Sequence, residues 1–195
     1  MFNLNKKSVS DLLALDINKE HVSILELSNK GKSKIVQNFN VLPSPSTIFV
    51  GSKISNLDLL INTIEKLISH LKLKTKNVRF AIPEELSLKH VFTIDKKMTD
   101  YDIENYIVAN FEKYFSSMDI DDVYMDFHEL GENKKDPNKK DILLVVAKKI
   151  DVDLLEDAIS SSGLNPVSID LTCYALERMI KFYKTKEKNQ VLAYF

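Results

Sequence analysis

Between Asp11 and Val41 the chain carries three successive apolar runs with room for only short turns between them. Leu13, Leu15 and Ile17 make the first, Val22, Ile24, Leu25 and Leu27 the second, and Ile35, Phe39 and Val41 the third. Apolar residues recurring at every second position share one face of an extended strand, so the stretch predicts three strands with tight turns. The first run delivers an acid, Asp16, to its end and reverses at once. A strand that ends in this way can present a carboxylate and backbone N–H groups to a phosphate; the alternative is a strand-end carboxylate satisfied by nearby N–H groups.

Residues 42–55, LPSPSTIFVGSKIS, read as loop, because Pro43 and Pro45 block regular pairing and Gly51 permits a turn. Asn56 or Asp58 is placed to cap a helix over LDLLINTIEKLISHLKL, where Leu59, Leu60, Ile64, Leu67, Ile68 and Leu71 form a stripe covering one sheet face. NVRFAI, ended by Pro83, is then a strand joined by a crossover to a neighbour in the same sheet.

A second unit begins near Leu88 with the strand LKHVFTI and a helix from Thr99 to about Phe115, its first turn rich in acids. Asp122–Leu130 and Asp141–Ala147 read as strands around GENKKDPNKKD, a charged and mobile hairpin tip, followed by a helix from about Asp151 to Ser162. That helix presents Leu154, Leu155, Ala158 and Ile159 on one face and ends at Gly163 as a left-handed cap. Strand, helix, strand, strand, helix is a compact α+β module. The α/β pattern then resumes with the strand VSIDL and a helix from Thr172 to Tyr183 that turns Ala175, Leu176, Met179 and Ile180 inward. The last residues, QVLAYF, begin another strand whose unpaired edge makes self-association an expectation.

Charge narrows the partners. Lys and Arg number 27 against 28 Asp and Glu, so no global field attracts nucleic acid or an anionic membrane. With 4 Gly no glycine-rich phosphate loop is present, and the single Cys173 excludes an internal disulfide, in keeping with a cytoplasmic chain. No window approaches the roughly 20 apolar residues needed to cross a bilayer, so any membrane association is expected to be indirect. His21, His70, His90 and His128 fall on separate elements without metal-ligand spacing, and no metal site is assigned. Asp119, Asp121, Asp122 and Asp126 lack the glycine turn and terminal Glu of a calcium loop and read as a solvated approach to a strand. Lys134, Lys135, Lys139 and Lys140 read as a solvated tip, and Cys173 as a small packing residue at a helix start.

The order of several short blocks resembles the type IV pilus assembly protein PilM family, which is actin-like and related to the cell-division protein FtsA. The blocks are LALDI at 13–17 with VSILEL after it, AIP at 81–83, and EKY followed by IDDVYMDF within 112–127. ILLVVAKK at 142–149 and the more specific SGLNPVSIDLTCYALERM at 162–179 complete them. The chain departs from the family pattern at Asn18, where Gly is usual, at Ser23, where Lys is common, and at Phe115-Ser116, in place of Ile-Pro.

The resemblance implies an α/β fold with an actin-like (ribonuclease H-like) mixed sheet and helices, plus an inserted α+β subdomain. Residues 10–87 and 164–189 would form the actin-like core subdomain, 88–163 the insertion, and 190–195 the start of a second half. In such proteins ATP lies between two halves; here Asp16 and Asn18 would be a vestigial phosphate loop, and neither enzymatic activity nor a cofactor is expected unless the second half is present. The function implied is that of a cytoplasmic adaptor of the pilus inner-membrane machinery, binding the N-terminal cytoplasmic tail of PilN in a groove between core and insertion. Phe80, Ile82, Phe92, Ile94, Tyr106 and Tyr114 are the candidate groove residues. The alternatives are a fragment of an ATP-binding actin-like protein, or a related component of cell division or type II secretion.

Overall fold

The three alternating runs become the antiparallel part of a five-stranded sheet in the computed structural model, which describes residues 11–30, 33–51 and 53–182. Strand β1 (Asp11–Ile17) pairs with β2 (His21–Lys30), and β2 with β3 (Ser33–Pro43). The expected loop that follows contains a two-residue ladder, β4 (Phe49–Val50) with β5 (Lys53–Ile54), and buries Ile48 completely. Helix α1 (Leu57–Ile68) starts at Asn56, whose side chain accepts the N–H of Leu59 at 2.9 Å, and stops three residues short of Leu71.

Strand β6 (Asn77–Ile82) returns parallel to β1, as a crossover requires. The second unit follows: β7 (Ser87–Asp95), α2 (Asp100–Tyr114), β8 (Val123–Glu132) and β9 (Lys139–Lys148). Its three strands pair antiparallel in the order β7-β9-β8. Helix α3 (Lys149–Ser161), strand β10 (Asn165–Leu171) and helix α4 (Thr172–Phe182) bring the chain back, giving a first sheet of order β10-β6-β1-β2-β3. Because β10 and β6 run parallel to β1 while β2 and β3 alternate, the sheet is mixed, as the resemblance implies. The run QVLAYF lies outside the described residues.

Two cores result. The first joins Leu13, Leu15, Ile17, Val22 and Ile24 to Leu60, Ile64 and Leu67 of α1 and to Phe80 and Ile82 of β6. The second packs Ile103, Ile107 and Phe111 of α2 on Phe92, Ile94, Ile142, Leu144 and Val146. Helix α3 departs from the sequence reading, which places it in the insertion ending at residue 163. Its buried Val152, Leu155, Ala158 and Ile159 sit in the first core, so the second core draws on strands β7 to β9 and helix α2. Periodicity marks an inward face but does not say which sheet that face meets.

Smaller differences have local causes. On α3, Val152 is buried while Leu154 is only partly covered, and on α4 the expected inward Met179 is 47% exposed. On β3, Ile35, Phe39 and Val41 are exposed, and it is the alternate residues Asn40, which donates to the Leu67 carbonyl at 2.7 Å, and Leu42 that face α1 and the first core. The hairpin tip is shorter than 131–141 and is held together by Asn133. Its side chain donates to Asp141 Oδ1 at 2.8 Å and accepts the N–H groups of Lys135 and Asp136 at 2.9 and 3.1 Å.

The helix ends follow local rules. Gly163 adopts φ 82°, Leu164 N–H donates to Ile159 at 3.3 Å and Gly163 N–H to Ser160 at 3.0 Å, the paired bonds of a Schellman cap. At α2, Thr99 and Asp102 exchange hydrogen bonds in a capping box. Thr99→Ala is expected to lower stability by about 0.5–2 kcal/mol in urea denaturation. Asp102 lies below its ordinary value of 3.8, first through the N–H of Thr99 and then through its hydroxyl. A folded value below the unfolded one contributes stability above the unfolded pKa, and that contribution is lost as pH falls through the folded pKa. The gap between wild type and Thr99→Ala should therefore narrow as pH falls from the ordinary value of 3.8 through the lower folded pKa.

Candidate functional site

The turn between β1 and β2 spans residues 18–20 and is closed by Asn18. Its Oδ1 accepts the N–H groups of Glu20 and His21, both at 2.9 Å, and its Nδ2 donates to Asp16 Oδ2 at 3.1 Å. The same Nδ2 lies 3.1 Å from His21 Nε2, which is 3.4 Å from Asp16 Oδ2. Asp16 Oδ1 accepts the hydroxyl of Thr172 at 3.0 Å, at the start of α4. Asp16 and Asn18 therefore do come together, and the partners shown for Asp16 are side chains rather than the backbone N–H groups anticipated. As a seat for the phosphates of ATP the turn fits poorly, since the N–H groups of Glu20 and His21 and both oxygens of Asp16 are already engaged within the chain.

Four of the six groove candidates do not line an accessible surface. Phe80 and Ile82 are each 2% exposed in the first core, and Phe92 and Ile94 are buried in the second. Alternation puts each of them on the inward face of its strand, and helices α1, α3 and α2 cover those faces. Tyr106 and Tyr114 are half-buried and stack on Phe92, with ring centroids 5.5 and 5.3 Å away. Their hydroxyls meet at 3.1 Å, and burial, followed by that bond, pushes the Tyr114 phenol up to about 12. His90 stacks on Tyr114 at 4.4 Å.

An accessible concavity does exist where the two units meet. It encloses about 660 Å³ between the segment after α2 and the junction of β9 with α3. Met118, Val123, Ile150 and Leu154 supply apolar surface, and Asp119, Asp122, Asp153 and Asp157 supply acids, with Lys148 and Lys149 beside them. Ile150 is 65% exposed, a large apolar side chain left outside the buried stripe of α3. Lys149 is partly committed, donating to the Asp121 carbonyl at 2.6 Å and lying 5.8 Å from the centre of the Tyr124 ring.

Tyr124 O–H donates to Asp153 at 3.0 Å, and this bond is the first cause of its raised pKa. Nearby Glu156 is raised by burial and then by the charges of Asp153 and Asp157, which marks a locally negative helix face. The cleft therefore suits a ligand with apolar side chains and positive charge. Sequence reading treated Asp119 and Asp122 as a solvated approach and missed Met118, Ile150 and Leu154. The available signal was Ile150, apolar yet off the stripe that its own helix buries.

A second junction lies at the start of α4. Lys89 pairs with Glu84, donates to Cys173 Sγ at 3.3 Å and sits 5.3 Å from the Tyr174 ring centre. Burial pulls the Lys89 pKa down, but the bonds to Glu84 and Cys173 outweigh it and the net shift is upward. Cys173 is a half-buried member of this polar contact at the helix start. Among the described residues no helix is long and apolar enough to cross a membrane, and no three metal-ligating side chains come together.

Comparison with known proteins agrees with this architecture. The family model for type IV pilus assembly protein PilM matches residues 14–193. A solved structure described as the PilM-PilN type IV pilus biogenesis complex superposes with a TM-score of 0.77 at 17% identity. The match covers 91% of this chain and 52% of that one, so the chain spans about half the length of that relative. The cytoplasmic domain of EpsL, an inner-membrane component of the Vibrio cholerae type II secretion system, aligns at a TM-score of 0.48 and 10% identity. That alignment covers 82% of this chain and 57% of EpsL. The ethanolamine utilization protein EutJ from Carboxydothermus hydrogenoformans aligns at 0.41 and 8% identity, over 91% of this chain and 42% of EutJ. The fold is the expected actin-like α/β fold. Since the family model spans nearly every element described above, this chain belongs to the type IV pilus assembly protein PilM family.

Proposed function

We propose that this chain is a cytoplasmic adaptor of the type IV pilus inner-membrane machinery, and that it holds the N-terminal cytoplasmic tail of PilN in the cleft between its two units. The observation that carries this reading is the cleft itself, with exposed Ile150 and half-buried Leu154 and Met118 set among four aspartates. Cytoplasmic segments next to a membrane span carry an excess of Lys and Arg, so a tail of that kind brings the complementary charge. Its apolar side chains would fill the floor, while the aspartates steer approach and set register. The solved relative described as a complex of PilM with PilN supports the choice of partner.

Fluorescence anisotropy with a labelled PilN tail peptide tests the reading. Binding should weaken at least about tenfold on Ile150→Asp, a change at an exposed position that spares the cores. Asp122→Lys with Asp157→Lys should weaken it and also flatten its salt dependence. No binding at about 500 μM peptide, or equal affinity in all variants, would reject the proposal.

A further inference from the structure

The β1–β2 turn has the makings of an anion site and is filled from within. Two consecutive N–H groups, those of Glu20 and His21, converge on one point, and that point is occupied by Asn18 Oδ1 at 2.9 Å from each nitrogen. The other end of the same carboxamide donates to Asp16 Oδ2 at 3.1 Å. Asp16 in turn accepts the Thr172 hydroxyl at 3.0 Å, and that hydroxyl also lies 3.3 Å from the Ile82 carbonyl at the end of β6. A hydrogen-bonded path therefore runs from the turn through Asp16 to the first residue of α4.

We propose that the Asn18 carboxamide is a built-in stand-in for the phosphate oxygens that an actin-like turn presents its amides to, so that the turn and the α4 start are held closed without nucleotide. Each part of the side chain has the polarity the role requires. The carbonyl oxygen accepts two amide protons, as a phosphate oxygen would, and the NH2 group neutralises the demand of Asp16 for a donor. A phosphate can reach the Glu20 and His21 amides only after the Asn18 side chain leaves, which breaks three hydrogen bonds. The resulting weakening is on the order of a hundredfold relative to a turn with glycine at position 18. A glycine there has no side chain to fill the site.

The test is amide hydrogen exchange and nitrogen-proton NMR on the full 195-residue chain, with Mg·ATP and inorganic pyrophosphate as probes. In the wild type, the Glu20 and His21 amides should be protected and should not move at up to about 5 mM Mg·ATP or pyrophosphate. In Asn18→Gly both amides should lose at least about tenfold in protection while core amides keep theirs. Asn18→Asp serves as the second variant: it keeps the acceptor oxygen but not the donor to Asp16, so Glu20 and His21 should stay protected. A saturable Mg·ATP response at these amides in the wild type would overturn the proposal, as would an Asn18→Gly chain protected like the wild type. The readout concerns two assigned amides and is independent of whether a peptide binds in the cleft.

Discussion

Replacing Glu26 by alanine is expected to destabilise the chain by about 3–5 kcal/mol, among the largest effects open to a single change. Glu26 sits on β2 with a relative exposure of 0%, on the face that also buries Val22 and Ile24. Its Oε1 accepts the N–H groups of Lys74 and Thr75 at 2.7 and 3.2 Å, and its Oε2 accepts Asn38 Nδ2 at 2.5 Å. One carboxylate thus fastens the segment between α1 and β6 to the centre of the antiparallel strands and joins β2 to β3. Truncation would take the acceptor from two part-buried backbone donors, leave Asn38 Nδ2 only the Lys72 carbonyl at 3.4 Å, and open a cavity at a fully buried position; each donor left unsatisfied costs about 1–3 kcal/mol. At about 2–4 °C per kcal/mol for a chain of this size, the thermal midpoint should fall by roughly 10 °C. Glu26→Gln, which keeps an acceptor oxygen, should lose about half as much. A midpoint for Glu26→Ala within about 2 °C of wild type would mean that the carboxylate is not holding this segment.

Leu155→Ala should cost about 2–5 kcal/mol, and its coupling pattern tests where α3 belongs. Leu155 has 0% exposure and lies in the cluster that contains Ile64 of α1 and Leu15 of β1. Removing it leaves a cavity between two helices and a sheet that are fastened at several other points, so collapse into the space is limited. Within one core, Leu155→Ala and Ile64→Ala should be non-additive by more than about 0.5 kcal/mol. Ile107, in the second core, offers the contrast: Leu155→Ala and Ile107→Ala should add within about 0.5 kcal/mol. Additivity with Ile64→Ala together with coupling to Ile107→Ala in urea denaturation would return α3 to the second unit and contradict this packing.

These expectations locate the boundary between local and non-local information. The strand pattern from Leu13 to Leu27, the Asn56 and Thr99 caps and the Gly163 stop were legible because each depends on residues within a few positions of itself. The family likeness rested on short blocks of the same kind, and with it came the mixed sheet and the insertion. In the sequence Asn18 is a departure from a usual glycine, yet only its position relative to Glu20, His21 and Asp16 shows that it fills the turn.

What the sequence determined by itself was the type of most elements, their order along the chain and, for β1, β2 and α1, the face that is buried. Choice among buried partners was left to the tertiary structure. Phe80, Ile82, Phe92 and Ile94 read as candidates for a groove because an apolar residue looks the same whether a helix or a peptide covers it. Glu26 reads as a polar interruption of a strand until residues 48 and 49 positions later bring two N–H groups to its carboxylate. The cleft around Ile150 likewise exists only once the segment after α2 meets the start of α3. Periodicity and capping are properties of neighbouring residues, whereas burial, charge satisfaction and concavity belong to surfaces made by segments far apart in the chain.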